Sequence, residues 1–241
     1  MKRIRLTTGP AAIFGAVFVV ALLVLLPMRL ALGALGVGEQ GLTARAVEGS
    51  VWRGAVREAQ VGRIPLGDLG VAVSPLALLT GRARIDLAGH ATDLSRSIRG
   101  AIEMSRHSVG LDRMTASLPA GNIFAPVPIS ALDLDAVNVK FDGGRCQRAS
   151  GRVKASLSGD VAGISLGHGM AGEARCDAGA LLLPLASQAG TESAVVRMWQ
   201  DGRFHADLTI QSDDPAAAAK LALAGFQRGD TGYTLSIEGK L

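Results

Sequence analysis

Apolar and polar positions divide the chain into two regimes that meet near Gly38. From residue 6 to residue 28 no charged side chain interrupts the sequence, and Arg29 is the first to do so. Wound as a helix, that run covers roughly 35 Å, enough for a hydrocarbon core about 30 Å thick. Beyond Gly38 the pattern changes to short alternating runs punctuated by glycine, which is the grammar of strands and turns. In residues 203–211, Phe204, Ala206, Leu208 and Ile210 share one face while His205, Asp207 and Thr209 share the other. That period of two is what a half-buried strand requires. Residues 233–241 repeat it, with Tyr233, Leu235, Ile237 and Leu241 opposed to Thr234, Ser236, Glu238 and Lys240. Leu132, Leu134 and Ala136 alternate with Asp133 and Asp135, and then the phase slips so that Val137, Val139 and Phe141 alternate with Asn138 and Lys140. A bulge near Ala136 accounts for the slip.

The same reading predicts strands over residues 44–48, 55–61, 69–73, 83–91, 98–104, 114–118, 151–157, 170–176 and 195–199. Most are apolar on one face only, so the other face meets solvent or a partner. Helices are few after the N-terminal run. Asp214 as N-cap, Pro215 at the first helical position and the alanine-rich stretch after it predict one helix, ended by Gly225. A shorter one follows Ser74 and Pro75, carries Leu76, Leu78 and Leu79, and stops at Gly81. Residues 118–128, with Pro119, Pro126 and Pro128, form the longest loop signal and the place for the sheet to change direction. Strands and helices do not alternate, so a parallel α/β fold is not expected.

Charge sets the topology. Lys2, Arg3 and Arg5 precede the apolar run, and only Arg29 follows before Glu39, which places the N-terminus in the cytoplasm and the bulk of the chain outside. Residues 1–8 are then cytoplasmic, 9–31 a transmembrane signal anchor and 32–241 a periplasmic β domain. A cleaved signal peptide competes, because Ala31, Leu32 and Gly33 form a small-x-small site. The apolar core exceeds the roughly 7–15 residues of a signal peptide's hydrophobic region, however, and an uncleaved anchor fits better. About 205 residues remain after the anchor, one ordinary domain with enough chain to bury a core. The formal net charge of +4 includes the three basic residues before the anchor, so the exported part is nearly balanced. With aromatics at 4% and no basic stripe, a nucleic-acid partner is not expected. Cys146 and Cys176 both fall in the exported part and have no rival partners, so an oxidising compartment joins them.

Residue patterns that carry chemistry are sparse. Gly163, Ser165 and Gly167 match the G-x-S-x-G of hydrolase elbows, but an elbow is a strand turning sharply into a helix, and Gly169 and Gly172 follow in a β-type pattern. The histidines, His90, His107, His168 and His205, lack the i, i+4 spacing of a metal pair, and there is no phosphate-binding or dinucleotide fingerprint. Asp133 and Asp135 read as an exposed strand face, Asp213 and Asp214 as a helix cap, and Arg228, Gly229 and Asp230 as a turn. No catalytic set can be assembled and no cofactor is implied.

At residues 48–55 the chain carries Gly49, Trp52 and Gly54 in a G-(small)-(apolar)-W-x-G arrangement, followed by P-x-x-L-L-x-G in Pro75, Leu78, Leu79 and Gly81. A cysteine pair lies in the second half, and the chain ends in a strand running to Gly239, Lys240 and Leu241. In their order these features resemble the N component of type II secretion systems, also called general secretion pathway protein N. The resemblance implies a non-catalytic, single-span inner-membrane protein whose periplasmic β domain contacts the outer-membrane secretin or the inner-membrane platform proteins, with lipid met through the anchor. Trp52 reads chiefly as a ring covering the end of a sheet where Gly49 and Gly54 let another strand approach closely.

The fold expected is mainly β: an N-terminal transmembrane helix followed by a strongly curved antiparallel meander with one or two short helices. Gly-rich strands without covering helices bury one face by curling. Two other functions stay open: a periplasmic lipid-binding or transfer protein whose curled sheet forms an apolar groove, and a hydrolase built on Ser165.

Overall fold

The computed structural model describes residues 10–30, 42–61, 64–89, 98–119, 129–157, 160–161, 164–165 and 169–240. The chain opens with α1 (Pro10–Val24) and continues through β1 (Leu42–Thr43), β2 (Ala46–Ser50), β3 (Arg53–Val61) and β4 (Ile64–Val73). After α2 (Pro75–Leu79) come β5 (Ala83–Gly89), β6 (Arg99–Met104), β7 (Ser108–Pro119), β8 (Ile129–Asp142) and β9 (Arg145–Leu157). A separate two-stranded ribbon, β10 (Asp160–Val161) and β11 (Ile164–Ser165), precedes β12 (Met170–Glu173), β13 (Arg175–Asp177), β14 (Ala180–Ser187), β15 (Glu192–Met198) and β16 (Arg203–Ile210). The chain finishes with α3 (Pro215–Leu223), β17 (Gln227–Gly229) and β18 (Gly232–Lys240).

All strands outside the ribbon belong to one 16-stranded antiparallel sheet in the order β1, β3, β4, β5, β6, β7, β8, β9, β12, β14, β15, β16, β18, β17, with β2 also on β3 and β13 also on β14. The order follows the sequence nearly strand by strand, as a meander of short connections dictates. Its two ends, the β1 and β2 side and β17, do not pair with each other among the described residues, so the sheet is open.

The alternation read in the sequence is the alternation of burial. In β9, Val153 and Ala155 are buried while Arg152 and Lys154 are exposed; in β16, Phe204, Leu208 and Ile210 are buried. The inward residues form two clusters. One gathers Met28, Val56, Ala59, Leu69, Ile98, Met114 and Ala116 from the first half. The other runs from Val137 to Phe226 and includes Leu221 of α3, which is fully buried against it. Leu134 touches both.

Bulges crease the sheet. Ala136 has φ 48° and the β8–β9 register shifts between Asp135 and Asn138, which is the slip read from the alternation. Its neighbours across the sheet share the left-handed backbone: Gly100 in β6, Arg113 in β7 and Gly151 in β9. Side chains satisfy the groups that leave the ladder. The Arg113 amide donates to Asn138 Oδ1 at 2.9 Å, the Asn138 amide group donates to the Ala136 carbonyl at 3.0 Å, and the Ala136 amide donates to Thr115 Oγ1 at 3.1 Å. A row of bulged strands bends the sheet along its line.

The alanine-rich helix forms as read, the Asp214 side chain accepting from the Ala216 amide at 3.0 Å and Gly225 taking φ 91° after it. α2 stops before Gly81, at φ 72°, and none of its residues is buried. The strand predicted over 170–176 breaks at Ala174 into β12 and β13. β14 answers to no predicted strand. Residues 120–128 of the long loop, and His90, His168, Gly163, Gly167 and Leu241, lie outside the described residues, as do Lys2, Arg3, Arg5 and Ala31, Leu32 and Gly33.

α1 covers 15 residues. No helix among the described residues is long and apolar enough to cross a membrane. Leu26, Pro27 and Met28, inside the 9–31 segment of the sequence reading, are seated on the sheet instead of continuing α1.

Candidate functional site

Where α1 gives way to the sheet, the two sequence motifs come together. β2 and β3 form a hairpin with Ser50 paired to Arg53, so Val51 and Trp52 are its two-residue turn. Gly49 pairs with Gly54 directly behind that turn. Gly49 has φ 84°, a region in which a side chain is strained, and a Cβ there would lie 2.7 Å from the Arg53 carbonyl oxygen. Gly54 is needed for a different reason. A Cβ on it would lie 2.3 Å from Met28 Sδ and 2.9 Å from the Glu48 carbonyl oxygen, so its missing side chain is the seat of Met28.

The chain leaving α1 is bonded into this turn. Pro27 bridges antiparallel to Ser50, and the Val51 amide donates to the Leu26 carbonyl at 3.0 Å. The Val51 carbonyl in turn accepts from the Val73 amide at 3.1 Å, at the end of β4. Ser74 donates its amide to the Arg84 carbonyl at 2.9 Å, and α2 begins at the next residue. Gly49, Trp52, Gly54, Pro75, Leu79 and Gly81 are therefore gathered at one end of the sheet, around the chain that leaves α1. Met28 is only 5% exposed, and burial of such a side chain is worth roughly 1.5–3 kcal/mol. It is the residue that sequence reasoning missed.

Trp52 is half-buried and does not belong to the apolar cluster that holds Met28. Gly54 is approached closely from two sides, by β2, whose Glu48 and Ser50 carbonyl oxygens would lie 2.9 and 3.0 Å from a Cβ there, and by the chain around Met28. Trp52→Ala is expected to cost about 1–2 kcal/mol, less than a fully buried aromatic would. Thermal unfolding of the full chain in detergent checks this; an unchanged melt together with loss of a binding partner would mark Trp52 as contact surface.

The polar face carries its own networks. Arg84, in β5, donates to Asp112 at 2.8 Å and to Glu103, and also meets Asp86 at 3.1 Å, joining β5, β6 and β7. The hydrogen bond with Asp112 is the main reason its guanidinium is held above its ordinary range, against the opposing effect of burial. Ser117 donates to Asp133 across β7 and β8. His205 lies between Glu238 at 3.1 Å and Asp207 at 3.0 Å, on the polar face that the alternation assigned to it. Ser236 donates to Asp207 and not to His205, so these groups do not line up a serine with a base.

Ser165 lies in the two-residue strand β11, paired with Asp160 of β10, and not at a strand-to-helix elbow. Among the described residues no group of histidine, cysteine, aspartate or glutamate is placed to hold a metal ion. Cys146 and Cys176 are joined, with 5.5 Å between their Cα atoms. A small apolar cleft of about 30 Å³ is lined by Ile129, Met170, Leu185, Phe204 and Ile237. A cleft of about 350 Å³, lined by Arg82, Glu103, His107, Asp112, Lys140 and Arg148 among others, is polar, and an open one of about 750 Å³, lined by Lys154, Met170, Ala171, Ala186, Ser187 and Glu192 among others, is more apolar than polar.

Residues 40–236 match the family model described as type II secretion system (T2SS), protein N. No curated protein and no solved structure matches the chain.

Proposed function

From the premise that the chain belongs to the family of type II secretion system protein N, we propose that it is a non-catalytic, membrane-anchored component of that machinery. The N-terminal apolar segment holds it in the inner membrane with Lys2, Arg3 and Arg5 on the cytoplasmic side, the end of that segment at Leu26, Pro27 and Met28 resting on the sheet, which stands in the periplasm. Its contacts are the outer-membrane secretin, the inner-membrane platform proteins, or both. The observation that supports a contacting role is the open sheet: among the described residues, β17 and the β1 and β2 side leave strand edges at which another chain can add a strand. Among the described residues, Ser165 ends a two-residue strand and is not followed by a helix that would present it as a nucleophile.

Photoreactive residues placed one at a time at Gln227, Arg228 and Thr43, in cells that assemble the secretion system, test this reading. Cross-links to the secretin or to a platform protein are expected from at least one edge. Cross-links confined to lipid, or none from any edge position while the protein is present at its normal level, would overturn the contacting role.

A further inference from the structure

The short helix α2 offers three leucines and buries none of them. Leu76 is 74% exposed and Leu79 84% exposed, with Leu78 also on the surface. An apolar triplet turned outward on one turn of helix needs a cover, and its position says which. Two backbone hydrogen bonds in series, Leu26 to Val51 and Val51 to Val73, tie the end of β4 to the end of α1. Leu76 follows Val73 by three residues, about 10 Å of chain at most. Exposed apolar side chains continue on the other side of this junction: Val24 and Leu25 at the end of α1, and Leu30 beyond Met28.

The charges nearby complement a lipid surface. Arg29, Arg53 and Arg82 are exposed at this end, one beside Met28, one at the start of β3 and one at the exit of α2. None of the three makes an ion pair with a described residue. Leucines flanked by arginines are the composition that inserts at the boundary of acyl chains and headgroup phosphates.

We propose that α2 enters the membrane interface beside α1, with Leu76 and Leu79 among the acyl chains and Arg29, Arg53 and Arg82 on the lipid phosphates. This rests on the reading of the N-terminal segment as an anchor. The sheet is then fastened to the bilayer at two points and stands on its hairpin end, with α3 held away from it.

The test uses the full chain reconstituted into phosphatidylethanolamine and phosphatidylglycerol vesicles with brominated acyl chains, carrying one fluorescent amino acid at Phe14, Leu79 or Leu223. Leu223 of α3 is 90% exposed and serves as the apolar position far from the junction. Quenching at Leu79 is expected to approach that at Phe14 and to exceed that at Leu223 several-fold. Quenching at Phe14 with none at Leu79 overturns this inference and leaves the anchor standing. No quenching at Phe14 overturns the anchor and the inference with it. Protection of Leu79 only when a platform protein is added would identify a protein as its cover and likewise overturn the proposal.

Discussion

Replacing Cys146 and Cys176 together is expected to lower the stability of the chain by about 3–4 kcal/mol, the chain-entropy value for closing a loop of roughly this length. In a domain of this size that is about 6–16 °C in Tm. The bridge spans a sequence separation of 30. It also sits where the sheet needs it. The β9–β12 ladder ends at Glu173, paired with Arg152, and β13 then pairs with β14 alone. Past that point Cys146 of β9 is tied to the β13–β14 turn by its amide, which donates to the Gly179 carbonyl at 2.7 Å, and by the disulfide. Cys146 is buried in the larger apolar cluster, so alanine is a better replacement than serine, whose hydroxyl would be buried there. Melts of wild type with and without reductant, beside the double alanine variant, check it. Equal melts with and without reductant would show that the bridge constrains nothing; a variant far below reduced wild type would show that packing, not the bond, carries the effect.

Much of the sheet was legible because one face is buried and the other wet. β16 and β18 alternate cleanly, and their polar face closes with Thr209 against Thr234 at 3.0 Å and with the carboxylates around His205. The slip at Ala136 was legible for the same reason, since a phase error shows only where phase exists. β14 was not legible. Leu181, Leu182, Leu183 and Leu185 are all buried, so the strand has no wet face and no period of two, and Pro184 reads as a strand breaker. The bulge at Arg113 carries no glycine to announce it, and Asn138, which satisfies its amide, is 25 residues away.

At the candidate site the motif residues were legible and their purpose only in part. Gly49 and Gly54 announce a close approach, but the side chain that makes it, Met28, lies in a continuous apolar run. Such a run looks the same whether it meets lipid or protein, because both reward apolar surface alike. The end of that run is seated on the sheet. Two glycines of the motif thus do separate things: Gly49 supplies the left-handed backbone behind the hairpin turn, and Gly54 leaves the space that Met28 fills.

Gly172→Ala is expected to cost about 3 kcal/mol or more, because the methyl group has nowhere to go. Gly172 lies in β12 opposite Val153 of β9, and a Cβ on it would stand 1.8 Å from the Pro184 carbonyl oxygen and 3.3 Å from Leu185 Cα. Both are positions on the backbone of β14, which cannot swing aside as a side chain would. The β12–β14 ladder stops at Ala171 and Ala186, just short of Pro184, which has no amide hydrogen to give. There the two strands pass at a distance that only glycine allows. Gly229→Ala is the control: its Cβ would lie 3.7 Å from the Gly232 carbonyl oxygen, an ordinary contact, and a change within about 0.5 kcal/mol is expected. Denaturant unfolding of both variants decides. If Gly172→Ala unfolds at the midpoint of wild type, β14 does not pass β12 this closely.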